Sequence, residues 1–265
     1  MSSVINASAA GASEPVCPTF RVDGAHALIT GAGKGLGRAA ARALARAGAH
    51  VYVLARTSAD VEGVCDQVRA AGGVATPVVA DVTDREDRRR AFACLPRLDI
   101  LVNSAGTNIP ESALTVSEEH LDRMLELNVR AAFLMAQGAA RKMIEQGTGG
   151  AIINLSSQMG HVGAVNRAVY CMTKHAVEGM TKSLALELAP NAIRVNSVAP
   201  TFIETDMTRP FLADPKFREW VLDRLPIGRI GREEDVVGAI VYLASPAAAL
   251  VSGTSLIVDG GWTAQ

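Results

Sequence analysis

From about residue 25 onward the chain repeats one unit: a short apolar run, a turn, then a longer stretch with helical spacing. Strands are predicted over residues 25–30, 50–54, 76–80, 100–102, 151–156, 193–198 and 255–258, where β-branched and aliphatic residues are bounded by Gly, Asp, Asn or Ser. Helices are predicted near 35–47, 58–71, 84–94, 117–146, 167–189 and 233–244. Strands alternating with helices at this spacing require crossovers between parallel neighbours, so helices must cover both sheet faces. The expected fold is an α/β, Rossmann-type, doubly wound parallel sheet of seven strands. No linker and no short repeat period interrupts the pattern, so residues 21–265 are expected to form one catalytic domain.

The bulk composition agrees with this and removes several function classes. Hydrophobic residues make up 49% of the chain but aromatics only 4%, which suits aliphatic packing on both sides of a parallel sheet. A formal charge of −1 gives no electrostatic reason to expect nucleic acid or an acidic membrane surface as partner. No apolar run approaches a bilayer span. Residues 1–20 are small and polar, lack the basic start and apolar centre of a leader, and are expected to be a flexible tail. Cys17, Cys65, Cys94 and Cys171 show no paired or metal-ligand spacing, so reduced thiols in a cytoplasmic protein are expected. His26, His50, His120 and His175 likewise suggest no metal, and Arg88-Arg89-Arg90 reads as a solvated helix face.

The first strand runs into Thr30-Gly31-Ala32-Gly33-Lys34-Gly35-Leu36-Gly37, followed by strong helix formers. Glycines let a backbone turn tightly against a pyrophosphate, and a helix start offers unpaired N–H groups with partial positive charge. Strand, glycine turn and helix together predict a dinucleotide site. The second strand ends Leu54-Ala55-Arg56-Thr57, with no acidic residue until Asp60. An acid at the strand end would bond the adenine ribose hydroxyls of NAD(H). Arg56 and Lys34 instead suit a 2′-phosphate, so NADP(H) is the expected cofactor and NAD(H) a possible one.

Tyr170 and Lys174 fall one helical turn apart on one face. A phenol with an ordinary pKa near ~10 is a weak acid–base group at neutral pH. A neighbouring ammonium is expected to lower it toward the working range. Ser157, thirteen residues earlier at the end of a predicted strand, can face a substrate oxygen. Asn128 lies between apolar neighbours in a predicted helix, where a buried amide must be bonded.

The glycine turn and the set Asn128, Ser157, Tyr170 and Lys174 resemble the short-chain dehydrogenase/reductase family over residues 22–265. The resemblance favours Ser157 over Ser156 as the catalytic serine and leaves Ser156 to bond backbone. It places Asn128 at a helix irregularity, holding a water that contacts the lysine. It also implies cofactor contacts from Asp81-Val82, from Asn103, Ala105 and Gly106 after the fourth strand, and from Pro200, Ile203 and Thr205 after the sixth. Ser104 and Thr201 depart from the asparagine and glycine that relatives usually have there. Residues 201–230 carry Pro210, Pro215 and Pro226 with Phe217 and Trp220, and predict a small helical lid over the substrate. Gln158, His161, Asn166 and Arg167 lie between Ser157 and Tyr170 and are candidates to line the substrate pocket from one loop; Ser157, Gln158, His161, Asn166 and Tyr170 are expected to bind substrate.

Local runs around Ser157, Tyr170 and Pro200 are similar to the dicarbonyl and L-xylulose reductase branch, which implies a small ketose, polyol or dicarbonyl as the carbonyl or alcohol substrate. A 3-oxoacyl-thioester reductase or an NAD-linked polyol dehydrogenase would use the same residues. A non-catalytic NADP(H)-sensing regulator should lack one of Ser157, Tyr170 and Lys174, and this chain has all three. The ending Val258-Asp259-Gly260-Gly261-Trp262 resembles tetrameric relatives, so a homotetramer with an exposed Trp262 at an interface is expected.

Overall fold

The computed structural model describes residues 18–264, so most of the expected tail, with Cys17, lies outside the described residues. Strand β1 (His26–Thr30) leads into helix α1 (Gly35–Arg46), β2 (His50–Ala55) into α2 (Ser58–Ala70), and β3 (Val74–Val79) into α3 (Arg85–Ala93). After β4 (Ile100–Asn103) come α4 (Glu118–Leu125), a π-helical segment (Glu126–Ala131) and α5 (Ala132–Gln146). Strand β5 (Gly150–Leu155) precedes α6 (Ala168–Leu188). Strand β6 (Ile193–Pro200) precedes α7 (Arg209–Leu212), α8 (Pro215–Leu222) and α9 (Glu233–Ala244), and β7 (Ser255–Val258) follows.

Among the described residues the strands form one seven-stranded parallel sheet in the order β3-β2-β1-β4-β5-β6-β7. Alternation along each strand sorts side chains to two cores. Ala27, Ile29, Val51, Val53, Ala151 and Ile153 join α1, α2 and α9 on one face. Leu28, Tyr52, Leu54, Leu101 and Ile152 join α3, α5 and α6 on the other. The order reverses between β1 and β4, which opens a crevice at the carboxyl ends of the strands.

Four sequence expectations change. The third strand starts at Val74 and contains Pro77, which is tolerated because β3 is a sheet edge where one missing N–H breaks no central ladder. The continuous helix expected over 117–146 is divided by the π-helical segment, which carries Asn128. Arg88 is buried and donates to the Val82 carbonyl at 2.7 Å, whereas Arg89 and Arg90 pair with Glu86 and Asp87 at the surface. Trp262 is half-buried: its ring lies 5.6 Å from both Phe202 and Trp220, over a small core of Leu212, Val221, Leu225 and Ile230. The aromatic residues of 201–230 therefore gather the chain end onto α7 and α8.

Candidate active site

The crevice holds a cleft of about 460 Å³ whose floor is the β1–α1 turn. The Thr30 hydroxyl accepts from the amides of Ser104 and Ala105 at 3.0 and 3.1 Å, which draws the loop after β4 against that turn. Gly31 has φ of +64°, and a Cβ there would come within 2.8 Å of the Ala105 Cα. A Cβ on Gly37 would meet the Gly31 carbonyl oxygen. Lys34 at the start of α1 makes no side-chain cap, so the first amides of α1 face the cleft without an internal partner. Glycines packed this closely beneath uncapped amides fit a pyrophosphate-bearing dinucleotide.

Gly31, Gly33, Lys34, Gly35, Leu36 and Gly37 line this cleft, as do Arg56, Asp81, Val82, Ala105 and Gly106. Tyr170, Lys174, Pro200, Ile203 and Thr205 line it as well. Asn103 lies behind the wall: its Nδ2 donates to Asn154 Oδ1 and to the Ala132 carbonyl, each at 3.0 Å, joining β4 to β5 and α5. At the mouth, Lys34 Nζ lies 3.4 Å from Asp60 and an Arg56 nitrogen 3.8 Å from Asp81. Both cations are well exposed. The sequence reading set Asp60 aside, yet the first turn of α2 brings it into the cleft wall four residues after Arg56.

At the inner end, α6 presents Tyr170 and Lys174, with the lysine nitrogen 5.6 Å from the tyrosine ring centre. Lys174 Nζ donates to the Leu155 carbonyl at 2.7 Å. Burial pushes the lysine down to about 8. The phenol is not lowered as the sequence suggested. Protein packed around its hydroxyl pushes it up to about 12, and a hydrogen bond from Ser157 and the nearby Arg167 charge oppose that only in part. Ser157 Oγ accepts from the Met159 amide at 3.2 Å, and its one proton turns to the Tyr170 hydroxyl at the cleft wall.

Asn128 is buried behind this group. Its Oδ1 accepts from the Thr107 amide at 2.8 Å, and its Nδ2 donates to the Thr107 carbonyl at 2.8 Å and to Thr173 Oγ1 at 3.1 Å. Because the π-helical segment offsets the helix, one amide reaches both the loop after β4 and the residue beside Lys174. The Ser156 hydroxyl, expected to bond backbone, is buried without a partner; its amide bonds the Val198 carbonyl at 2.8 Å.

Gln158, His161, Asn166 and Arg167, the candidates for the substrate side, all lie outside the cleft wall. Gln158 is buried in a 3-10 turn. His161 turns toward the sheet edge, where its Nε2 lies 2.9 Å from Ser255 Oγ and 3.4 Å from the buried Glu178. Asn166 is exposed with φ of 58°, and its carbonyl accepts from the Glu111 amide. Thr201, the departure after Pro200, lines the cleft; so do Thr107, Leu127, Met207 and Thr208, which sequence spacing did not single out. The hydrophobic and hydroxyl positions near Asn128 and after Pro200 were the available signal.

A family model described as enoyl-(acyl carrier protein) reductase matches residues 31–263. The chain is 41% identical over 245 residues to D-erythrulose reductase of Gallus gallus, covering 92% of this chain and 98% of that protein. It is 42% identical over 239 residues to L-xylulose reductase of Mesocricetus auratus, covering 90% and 96%. The solved gluconate 5-dehydrogenase from Burkholderia cenocepacia J2315, in complex with NADP and tartrate, superposes with a TM-score of 0.89 at 35% identity, covering 93% of this chain and 98% of that one.

Proposed function

The chain belongs to the short-chain dehydrogenase/reductase family, and on that premise we propose that it reduces small polyhydroxylated ketones or dicarbonyl compounds with NADPH. Its reaction class is that of NAD(P)-dependent oxidoreductases acting on CH–OH and C=O groups. One observation carries the finer reading: Ser157, Tyr170 and Lys174 line the same cleft as the glycine turn. Relatives named as reductases of erythrulose and xylulose, and a neighbour holding NADP, support the substrate and cofactor classes.

When bound, the nicotinamide would supply a hydride to the carbonyl carbon, or take one from the alcohol in reverse. Tyr170 gives its proton to the carbonyl oxygen, and Ser157 donates a hydrogen bond to the same oxygen as charge develops there. A phenol held near 12 is fully protonated at neutral pH and so is ready as a donor in the reducing direction. The Lys174 ammonium steadies the phenolate left behind. Asn128 positions Thr107 and Thr173 around that lysine. Residues 201–230, with α7 and α8, close over the substrate side.

At the mouth, Lys34 and Arg56 would read the 2′-phosphate, with Asp60 and Asp81 moderating the preference over NADH. Val82, Asn103 and Pro200 would shape the adenine and nicotinamide ends. Exposed Phe133 and Ile144 on α5, Met172 and Leu186 on α6, and Leu250 near β7 support assembly as a homotetramer. The free thiols of Cys65, Cys94 and Cys171 fit a cytoplasmic setting. No helix among the described residues is long and apolar enough to cross a membrane.

The test is a fluorescence titration with NADPH and NADH, followed by an assay of NADPH consumption with ketoses and dicarbonyls. NADPH binding at least about tenfold tighter, a difference of about 1.4 kcal/mol, with ketose-dependent turnover, is the expected result. Equal or tighter NADH binding, with turnover of polyols by NAD, would replace it with the NAD-linked polyol dehydrogenase reading.

A further inference from the structure

Arg167 is a cation in an unusual position. It is only 7% exposed, and its Nε is buried with no hydrogen-bond partner. Among the described residues no carboxylate lies within ion-pair distance of it. Glu111, whose amide bonds the neighbouring Asn166 carbonyl, is paired with His120 at 2.9 Å, and Asp206, before α7, with Arg209 at 2.9 Å. Its Nη1 donates to the Asn166 carbonyl at 3.1 Å, and the guanidinium lies 5.6 Å from the ring centre of Phe211 on α7. These neutral contacts orient the group without balancing its charge.

Its place on the helix adds a second cost. Arg167 is the N-cap of the 21-residue α6, and the first turn of α6 has no acidic residue. A helix start carries partial positive charge, so a cation there is disfavoured and an anion is favoured. Burying a charge without a partner is costly as well. Both costs disappear when an anion arrives. Arg167 stands three residues before Tyr170, on the same side of α6, and its charge acts on that phenol. Arg167 does not line the cleft itself. It lies behind the inner end, beneath Phe211 of α7, so a substrate with its carbonyl at Tyr170 meets the guanidinium only by reaching past that wall.

We propose that Arg167 is the specificity residue of the substrate side and that it receives a carboxylate, so that the preferred substrates are hydroxylated keto acids and the corresponding sugar acids. A carboxylate suits the site better than a phosphate ester, because one planar guanidinium matches a singly charged two-oxygen fork. The inference rests on the oxidoreductase reading of the same cleft and narrows its substrate class.

Purified full-length protein with NADPH is assayed on two matched pairs: 5-ketogluconate with L-sorbose, and 2-ketogluconate with D-fructose. In each pair only a carboxylate replaces a hydroxymethyl group. The better acid is expected to exceed the better neutral ketose in kcat/KM by at least about tenfold, the order of one charge-assisted hydrogen-bonded pair. Arg167→Gln should reduce kcat/KM for the acid by at least about thirtyfold, mainly through KM, while turnover of the neutral ketose and NADPH affinity change less than about threefold. As a check that needs no variant, tartrate should inhibit the wild type competitively against the carbonyl substrate. Neutral ketoses reduced as well as or better than the acids would overturn the role of Arg167 and leave the reductase reading intact. So would equal losses on both members of a pair in Arg167→Gln with NADPH binding unchanged. Turnover of none of the four by protein that binds NADPH would overturn both readings.

Discussion

The two halves of the cleft are built from different materials. The nucleotide half is made of backbone: Gly31 at positive φ against Ala105, the uncapped start of α1, and strand ends drawn together by Thr30. The substrate half is made of side chains carried by segments of irregular structure. Among these are Ser157 just after β5 and Thr201, Met207 and Thr208 in the excursion after β6. Backbone geometry admits few residue types, so the first half tolerates little variation. Side chains on loops can be exchanged without disturbing the sheet, so the second half is where relatives of one fold come to differ in substrate.

The largest expected effect separates the halves. Tyr170→Phe should leave NADPH affinity within about threefold while lowering turnover by about a thousandfold, within the range of a lost general acid. Steady-state kinetics beside a binding titration measure both, and near-normal turnover would remove Tyr170 from the chemistry. Gly31→Ala addresses the other half. A Cβ 2.8 Å from Ala105 on a residue at φ of +64° should weaken NADPH binding by at least about tenfold, given that such strain is worth about 1–3 kcal/mol. Unchanged affinity would mean that the turn is not backbone-limited.

The pH dependence is smaller and has a defined sign. Burial lowers Lys174 to about 8 and raises Tyr170 to about 12. Below pH 8 the ammonium is present to stabilise the phenolate that proton delivery leaves, and above it that help is withdrawn. Reduction should therefore hold from pH 6 to 8 and fall by about tenfold toward pH 9 to 10, as acid catalysis weakens with its partner's charge. A reduction rate that climbs through that window would contradict the assignment. Smaller still is Arg56→Ala, expected to lower the NADPH-to-NADH affinity ratio by about three- to tenfold. The effect should shrink in high salt because the pair at the mouth is solvent-exposed and screened.

The same division explains what could be read from the sequence. Short β-branched and aliphatic runs bounded by turn residues located the sheet, and the glycine turn located the cleft, because each reports a local backbone rule. The π-helical offset at Asn128 was legible only through the resemblance, since no propensity marks it. His161 could not be oriented from its loop, because its partners Ser255 and Glu178 come from β7 and α6, far away in the chain. The direction of the Tyr170 shift was misjudged because sequence spacing shows the neighbouring ammonium but not the packing around the hydroxyl. Trp262 was read as exposed because its partners Phe202 and Trp220 lie in the excursion after β6. Side-chain neighbourhoods assembled from distant segments are a tertiary property.

The central claim is that this cleft exchanges hydride between a nicotinamide and a hydroxylated carbonyl compound. Incubating the protein with a ketose or keto acid and NADPH deuterated at C4, using each of the two labelled forms in turn, tests it directly by mass spectrometry of the alcohol product. One labelled form should yield product heavier by one deuterium at the carbinol carbon, and the other unlabelled product. Alcohol formed without deuterium from either form, or no alcohol from protein that binds NADPH, would contradict it.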